Sequence, residues 1–288
     1  SGQVLTSGGA SAAPSWAAIP PAGNTVDLVA DGAIAAGKPV IIKSNGKVEQ
    51  VKESYAALST PTYDTEIQSA NMPSAYCPIP IYSASADTYA FMYRDSDHTK
   101  IICGQLNSSG QWTMGSPSGN INSSNDYSQH ASMAIVPASE VSGTSNDVLA
   151  VIYREYPGNN DGYFRLGTVN NNRTISLNSG HTDITGGDLF RSSMQAVGNG
   201  KILLAYSRGS SDGVKAMVID VTGSNSFSTG SEVSVGSSTN SNGVHVSEPD
   251  SNGKVIITYT NSSGNLKAVA ASISGTTITL GTEVELDS

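Results

Sequence analysis

A chain of 288 residues, 38% hydrophobic and only 14% charged, carries enough apolar mass for a full core; its net charge of −9, from 24 acidic against 15 basic residues, disfavours a nucleic-acid partner. The Lys and Arg residues stand singly, and no apolar run approaches the roughly 18 residues that cross a bilayer, so membrane insertion is not expected either. Ser, Thr, Asn and Gly fill every gap between apolar runs, which argues against long helices and for frequent turns.

The chain opens on Ser1, with no charged start and apolar stretch of a secretion signal, and upstream sequence is expected to be missing. Residues 1–23, including GQVLTSGGASAAPSW and a following Ile-Pro-Pro, have the composition of an extended connector. In residues 24–75, KPVIIKSNGKVEQVK places two alternating runs around Asn45-Gly46, a strong short-range hairpin signal. This stretch reads as a β-hairpin module or as a divergent first copy of the unit that follows.

From residue 76 one unit recurs, over about 76–125, 126–186, 187–239 and 240–288. TYAFMYRD, DVLAVIYRE, GKILLAYS and GKVIITYT place Tyr93, Tyr153, Tyr206 and Tyr259 at intervals of 60, 53 and 53 positions. Each copy has a short run before it, a polar turn after the tyrosine, and then a second apolar run: KIICGQL, YFRLGTV, VKAMVIDV or LKAVAASI. GSEVSV and GTEVEL add a further run in the two later copies.

Four strands in about fifty residues is the make-up of a propeller blade. Runs apolar on successive residues, such as ILLAY, suit strands buried on both faces. The expected fold is all-β, a β-propeller of about five four-stranded blades, the alternative being four blades plus an N-terminal β module. Ring closure is assigned to a strand from residues 60–75. Cys77 and Cys103 lie in strand-like segments and read as free buried thiols rather than a disulfide.

The candidate ligand-binding residues lie in the turns after the repeat tyrosines: Arg94 and Asp97, then Arg154, Tyr156 and Asp161, then Arg208 and Asp212. If these turns share one end of the ring they gather mixed charge and an aromatic, which suits a sugar or a protein surface. The competing reading gives Asp and Gly to turn geometry and Arg to solvation. The tyrosines themselves read as packing between blades.

No catalytic residue, metal or cofactor is expected. Asp95, Asp97 and His98 lack the oxygen ligands and glycine of a calcium loop, and the four histidines are scattered, with His130 and His245 opening innermost strands towards a central channel. LNSSGQW matches the spacing of a sialidase Asp-box but lacks its aspartate, and no G-x-S-x-G, phosphate loop or H-E-x-x-H occurs.

The segment GQVLTSGGASAAPSW, of the form GQVLTS-x-G-x-x-x-x-P-x-W, resembles the connector of bacteriophage tail-fibre and other virion appendage proteins. ADGAIAAGKPVIIKSNGKVEQV resembles a β module that often follows it, and the YRD and YRE runs resemble propeller repeats of marine phage fibres. The resemblance implies a place on the virion surface, contact with other virion proteins, and adhesion to a host cell-surface glycan or protein. It also implies a homo-oligomer, since such fibres are commonly trimers, although no heptad enforces one here. It points to no residue that performs chemistry. A structural or decoration subunit, and a sialidase-like or other polysaccharide-degrading propeller, are the alternatives.

Overall fold

The computed structural model describes residues 3–6, 15–18, 29–34, 40–50, 80–95, 98–108, 110–122, 127–156, 160–208, 212–236 and 243–287. The chain divides into two compact units, residues 1–62 and 63–288.

In the first unit, Gln3–Thr6 pairs antiparallel with Ser15–Ala18, so the chain reverses between them. The hairpin expected at Asn45-Gly46 is formed, with Val40–Ile42 paired to Val48–Gln50. Gly46 takes the left-handed conformation (φ 76°) that the tight turn requires, and the Asn45 side chain accepts the Lys47 amide at 3.0 Å.

The second unit is built from antiparallel meanders. Blade 1 orders Ile81–Ser83, Thr88–Asp95, His98–Leu106 and Trp112–Met114 from inside to outside. Blade 2 has Tyr127–Val136, Val148–Tyr156, Asp161–Asn170 and Thr174–Leu177, and Thr182–Asp188 also pairs with its third strand. Blade 3 runs Arg191–Gly198, Lys201–Ser207, Val214–Gly223 and Ser226–Thr229, with Val233–Gly236 added in the same way. Blade 4 runs Val244–Val246, Lys254–Thr260, Leu266–Ser274 and Thr277–Leu280, with Val284–Glu285 added. In blades 2 to 4 the outermost position is thus shared by two short strands.

The described residues hold four such sheets, a propeller arrangement. The hairpin at Asn45 belongs to the first unit and the four sheets to the second. Residues 51–79, which include Cys77 and the expected closing strand, lie outside the described residues.

Successive apolar residues work as expected of strands covered on both faces. In KILLAYS, Ile202, Leu204 and Tyr206 pack towards blade 2, while Leu203 and Ala205 pack towards blade 4. Each fully buried leucine contributes about 2 kcal/mol by leaving water. Cys103 is a free thiol in the interface of blades 1 and 2, and burial pushes its pKa up to about 12.

One seam repeats at the outer rim. Gly115, Asn178, Gly230 and Gly281 follow the fourth strands and donate equivalent amide bonds, to the carbonyls of Cys103, Leu166, Val218 and Ala270. A Cβ on Gly115 would stand 1.8 Å from the Arg173 carbonyl oxygen of blade 2, and one on Gly230 would stand 2.3 Å from that of Thr276 in blade 4. Asn178 makes the same junction with its side chain, donating to the Ser224 carbonyl of blade 3 at 2.7 Å. At Gly281 the nearest atom to such a Cβ is the Ala270 carbonyl oxygen of its own blade, at 3.4 Å.

At the end of the sheets that holds the turns between first and second strands, Asp147 ties blade 2 to blade 1. It accepts the Ser83 hydroxyl at 2.8 Å, the Ser85 amide at 3.1 Å and the Ala138 amide at 2.9 Å. Burial opposes its ionisation, but these donors outweigh that cost and hold the carboxyl below its ordinary range. Gly200 donates its amide to Glu140 at 2.9 Å and links blade 3 to blade 2 at the same end.

Candidate functional site

The blades stack in register. Ser132 and Ser192 hydroxyls meet at 3.1 Å across the innermost strands of blades 2 and 3, and the Val246 amide donates to Ser193 at 3.1 Å between blades 3 and 4. The turns between second and third strands therefore gather at one end of the sheets, as the candidate set requires.

At that end the interface of blades 2 and 3 gathers Arg154, Arg191 and Arg208. The Arg154 guanidinium, buried, donates through Nε to Asn160 at 2.9 Å and lies 4.7 Å from the centroid of the Phe190 ring. Arg191 donates through Nη1 to Nδ1 of His130 at 2.5 Å and to the Phe190 carbonyl at 3.0 Å. Because a guanidinium can only donate, His130 Nδ1 must accept, which places the imidazole proton on Nε2. Burial first, then the positive charges of Arg191 and Arg154, lower the His130 pKa to about 3.

Arg208 reaches back from blade 3 to the carbonyls of Thr185 and, at 2.7 Å, Gly186 in blade 2, and sits 3.4 Å from Glu232. The structure thus brings Arg154 and Arg208 to one interface. Asp161 pairs through its backbone with Asp188, and Asp212 is exposed in the blade 3 turn. Arg94 closes the second strand of blade 1 opposite Thr99, and Tyr156 pairs through its backbone with Tyr127. The side chains of Arg94 and Tyr156, and all of Asp97, lie outside the described residues.

His130 does not face the channel as expected. The pairing of the first two strands of blade 2 slips between Ile152 and Arg154, and His130 adopts φ 51°, which turns its ring into the interface with Arg191. His245 does line the channel, a cavity of about 560 Å³ between the four innermost strands that also touches Tyr82, Ser132, Ser192, Gln195 and Glu248.

Two carboxylates escaped the sequence reading. Glu232 accepts the Tyr206 hydroxyl and lies 3.7 Å from Lys215; Glu283 accepts the Tyr259 hydroxyl and lies 3.5 Å from Lys267. Burial first, and then the adjoining carboxylate, raise both phenol pKa values. The signal was present in the matched runs GSEVSV and GTEVEL, whose glutamates stand 51 positions apart, close to the 53 of the tyrosines they meet. Blade 2 has His181 at the corresponding place, its ring 4.8 Å from that of Tyr163, and the Tyr153 hydroxyl is buried without a hydrogen-bond partner among the described residues.

No protein-family model matches the chain, and no curated protein matches it. Solved structures resemble it at low identity. A protein from Lactobacillus plantarum is 12% identical, with 71% of this chain matched to 55% of that one at a TM-score of 0.46. The lectin of the fungus Aleuria aurantia, described as a six-bladed β-propeller with a fucose recognition mode, is 11% identical over 73% of this chain and 60% of its own (TM-score 0.45). The β-fructofuranosidase of Schwanniomyces occidentalis is 12% identical over 76% and 48% (TM-score 0.48). This chain therefore spans about half to three-fifths of the length of these structures.

Among the described residues the charged groups at the blade 2–blade 3 junction hold blade to blade. Arg165, not singled out by the sequence, does the same between blades 1 and 2, donating to the Asn120 carbonyl at 2.8 Å and to that of Asn178 at 2.6 Å.

Proposed function

We propose that the chain is a non-catalytic adhesion module of a virion appendage, which binds a host cell-surface glycan or protein. The observation that carries this reading is the engagement of the charges at the blade 2–blade 3 junction. Arg154, Arg191 and Arg208 are turned onto Asn160, His130 and the carbonyls of Thr185 and Gly186, and Glu232 accepts Tyr206. A hydrolase needs an acid and a base poised in the open, whereas these groups build a rigid scaffold that presents a surface. The appendage assignment rests on the connector motif from Gly2 to Trp16, and a trimeric state goes with it.

The test is retention of the labelled full chain on bacterial cells and on an array of surface polysaccharides. Saturable retention without release of new reducing ends is the expected outcome. Reducing-end release would instead assign a polysaccharide-degrading activity, and no retention on either would leave a purely structural virion role.

A further inference from the structure

Blade 1 turns an aromatic face away from blade 2. The rings of Tyr82 and Tyr89 lie 4.9 Å apart, Tyr89 and Trp112 meet edge to face at 5.5 Å, and Phe91 and Trp112 do so at 5.3 Å. Tyr82 is 46% exposed and Trp112 37%. Trp112 reaches Tyr89 by crossing Gly104, where a Cβ would stand 3.0 Å from the indole ring.

A polar rim borders these rings. Asp87 accepts the Tyr82 hydroxyl at 2.8 Å through one carboxylate oxygen and the Gln105 amide at 2.9 Å through the other. Those two donors, Gln105 first, hold the carboxyl below its ordinary range, so it is ionised at neutral pH. Asp87 sits at φ 47° in the turn between the first two strands, a left-handed conformation that costs energy for any residue with a Cβ.

This chemistry differs from that of the blade seams. The clusters between blades are predominantly aliphatic, and the face of blade 4 opposite blade 3 continues that pattern with exposed Ile256, Leu266 and Val284. Among the described residues, only on blade 1 do exposed aromatic rings adjoin a fixed carboxylate and a primary amide. A pyranose ring has the matching form: an apolar face of C–H groups that stacks on electron-rich rings, and an edge of hydroxyls that both donate and accept.

We infer that Tyr82, Tyr89 and Trp112, with Asp87 and Gln105, form a platform for one pyranose residue of a cell-surface glycan. The sugar stacks on the exposed rings of Tyr82 and Trp112. Its hydroxyls donate to the remaining lone pairs of Asp87 and accept the second amide hydrogen of Gln105. This deepens the adhesion reading and rests on it, and it moves the contact from the turns after the repeat tyrosines to blade 1.

The chain has two tryptophans, Trp16 and Trp112, so the full chain carrying Trp16→Phe reports on Trp112 alone. Its emission is followed while methyl glycosides of glucose, galactose, mannose and N-acetylglucosamine are added, and its retention on the polysaccharide array is measured in parallel. Expected is a saturable emission change with at least one glycoside. Tyr82→Ala and Asp87→Asn should each weaken it roughly tenfold, and Tyr82→Phe, which keeps the ring, should weaken it less.

Array retention that survives Tyr82→Ala and Asp87→Asn undiminished would overturn the platform while leaving adhesion standing. Absence of retention by the unsubstituted chain would remove both. A thermal midpoint lowered by more than about 5 °C in Tyr82→Ala, with no glycoside response in the parent, would make the aromatic face a protein seam and overturn the platform as well.

Discussion

The Tyr206 hydroxyl donates to the carboxylate of Glu232, which enters the blade from the added outer strand and closes over the end of the second strand. Tyr259 and Glu283 repeat the contact one blade later. Tyrosine is used here instead of phenylalanine because its ring fills the seam while its oxygen fixes where the outer strand ends.

Removing either partner should have unequal effects. Tyr206→Phe leaves Glu232 beside Arg208 and Lys215 and should lower stability by about 1 kcal/mol. Glu232→Ala strands a fully buried hydroxyl and should cost about 2–3 kcal/mol. Urea unfolding of the two variants checks the order.

His130 makes the fold sensitive to mild acid. Its pKa in the folded state is lowered to about 3, whereas an unfolded histidine titrates near pH 6.5. Below that pH the unfolded chain takes up a proton that the folded chain refuses, so stability falls as pH falls, by about 2 kcal/mol between pH 7 and pH 5. Denaturation midpoints at the two pH values should show this loss, and His130→Gln, which still accepts from Arg191, should flatten it.

Asp147 acts in a lower window. A carboxyl whose folded pKa is depressed stabilises the fold above its unfolded value near 3.9, and that contribution disappears as pH drops further. Asp147→Asn turns an amide group towards donors and should cost about 2 kcal/mol at pH 7. The gap between variant and parent should narrow below about pH 4, as followed by circular dichroism.

The rim glycines give a contrast that needs no titration. Gly115→Ala and Gly230→Ala force a methyl group into a neighbouring carbonyl and should each destabilise by about 2 kcal/mol. Gly281→Ala meets only ordinary contact and should change the thermal midpoint by less than about 2 °C.

Much of the scaffold was legible because a blade announces itself locally. The tyrosines at 93, 153, 206 and 259 fixed the repeat, and their expected role in blade packing matches the burial of Tyr153, Tyr206 and Tyr259. The hairpin at Asn45-Gly46 followed from turn chemistry alone. What the sequence hid depends on contacts between units. Arg154 and Arg208 were singled out for ligand contact, but their surroundings are Phe190 and Gly186, supplied by strands that local pattern does not bring together. The turning of His130 depends on a one-residue slip that no spacing rule marks. The platform of Tyr82, Tyr89 and Trp112 joins three strands of one sheet, and only their register reveals it.

Gly281 keeps the amide bond of the rim seam while the described atoms nearest a Cβ there belong to its own blade, and that has a bearing on how such arrays change size. Since the rim of blade 4 is cut to the same template as those of blades 1 to 3, one junction design serves every copy of the unit. Blade number is then free to drift by duplication of whole units, while each joint keeps its own tolerance.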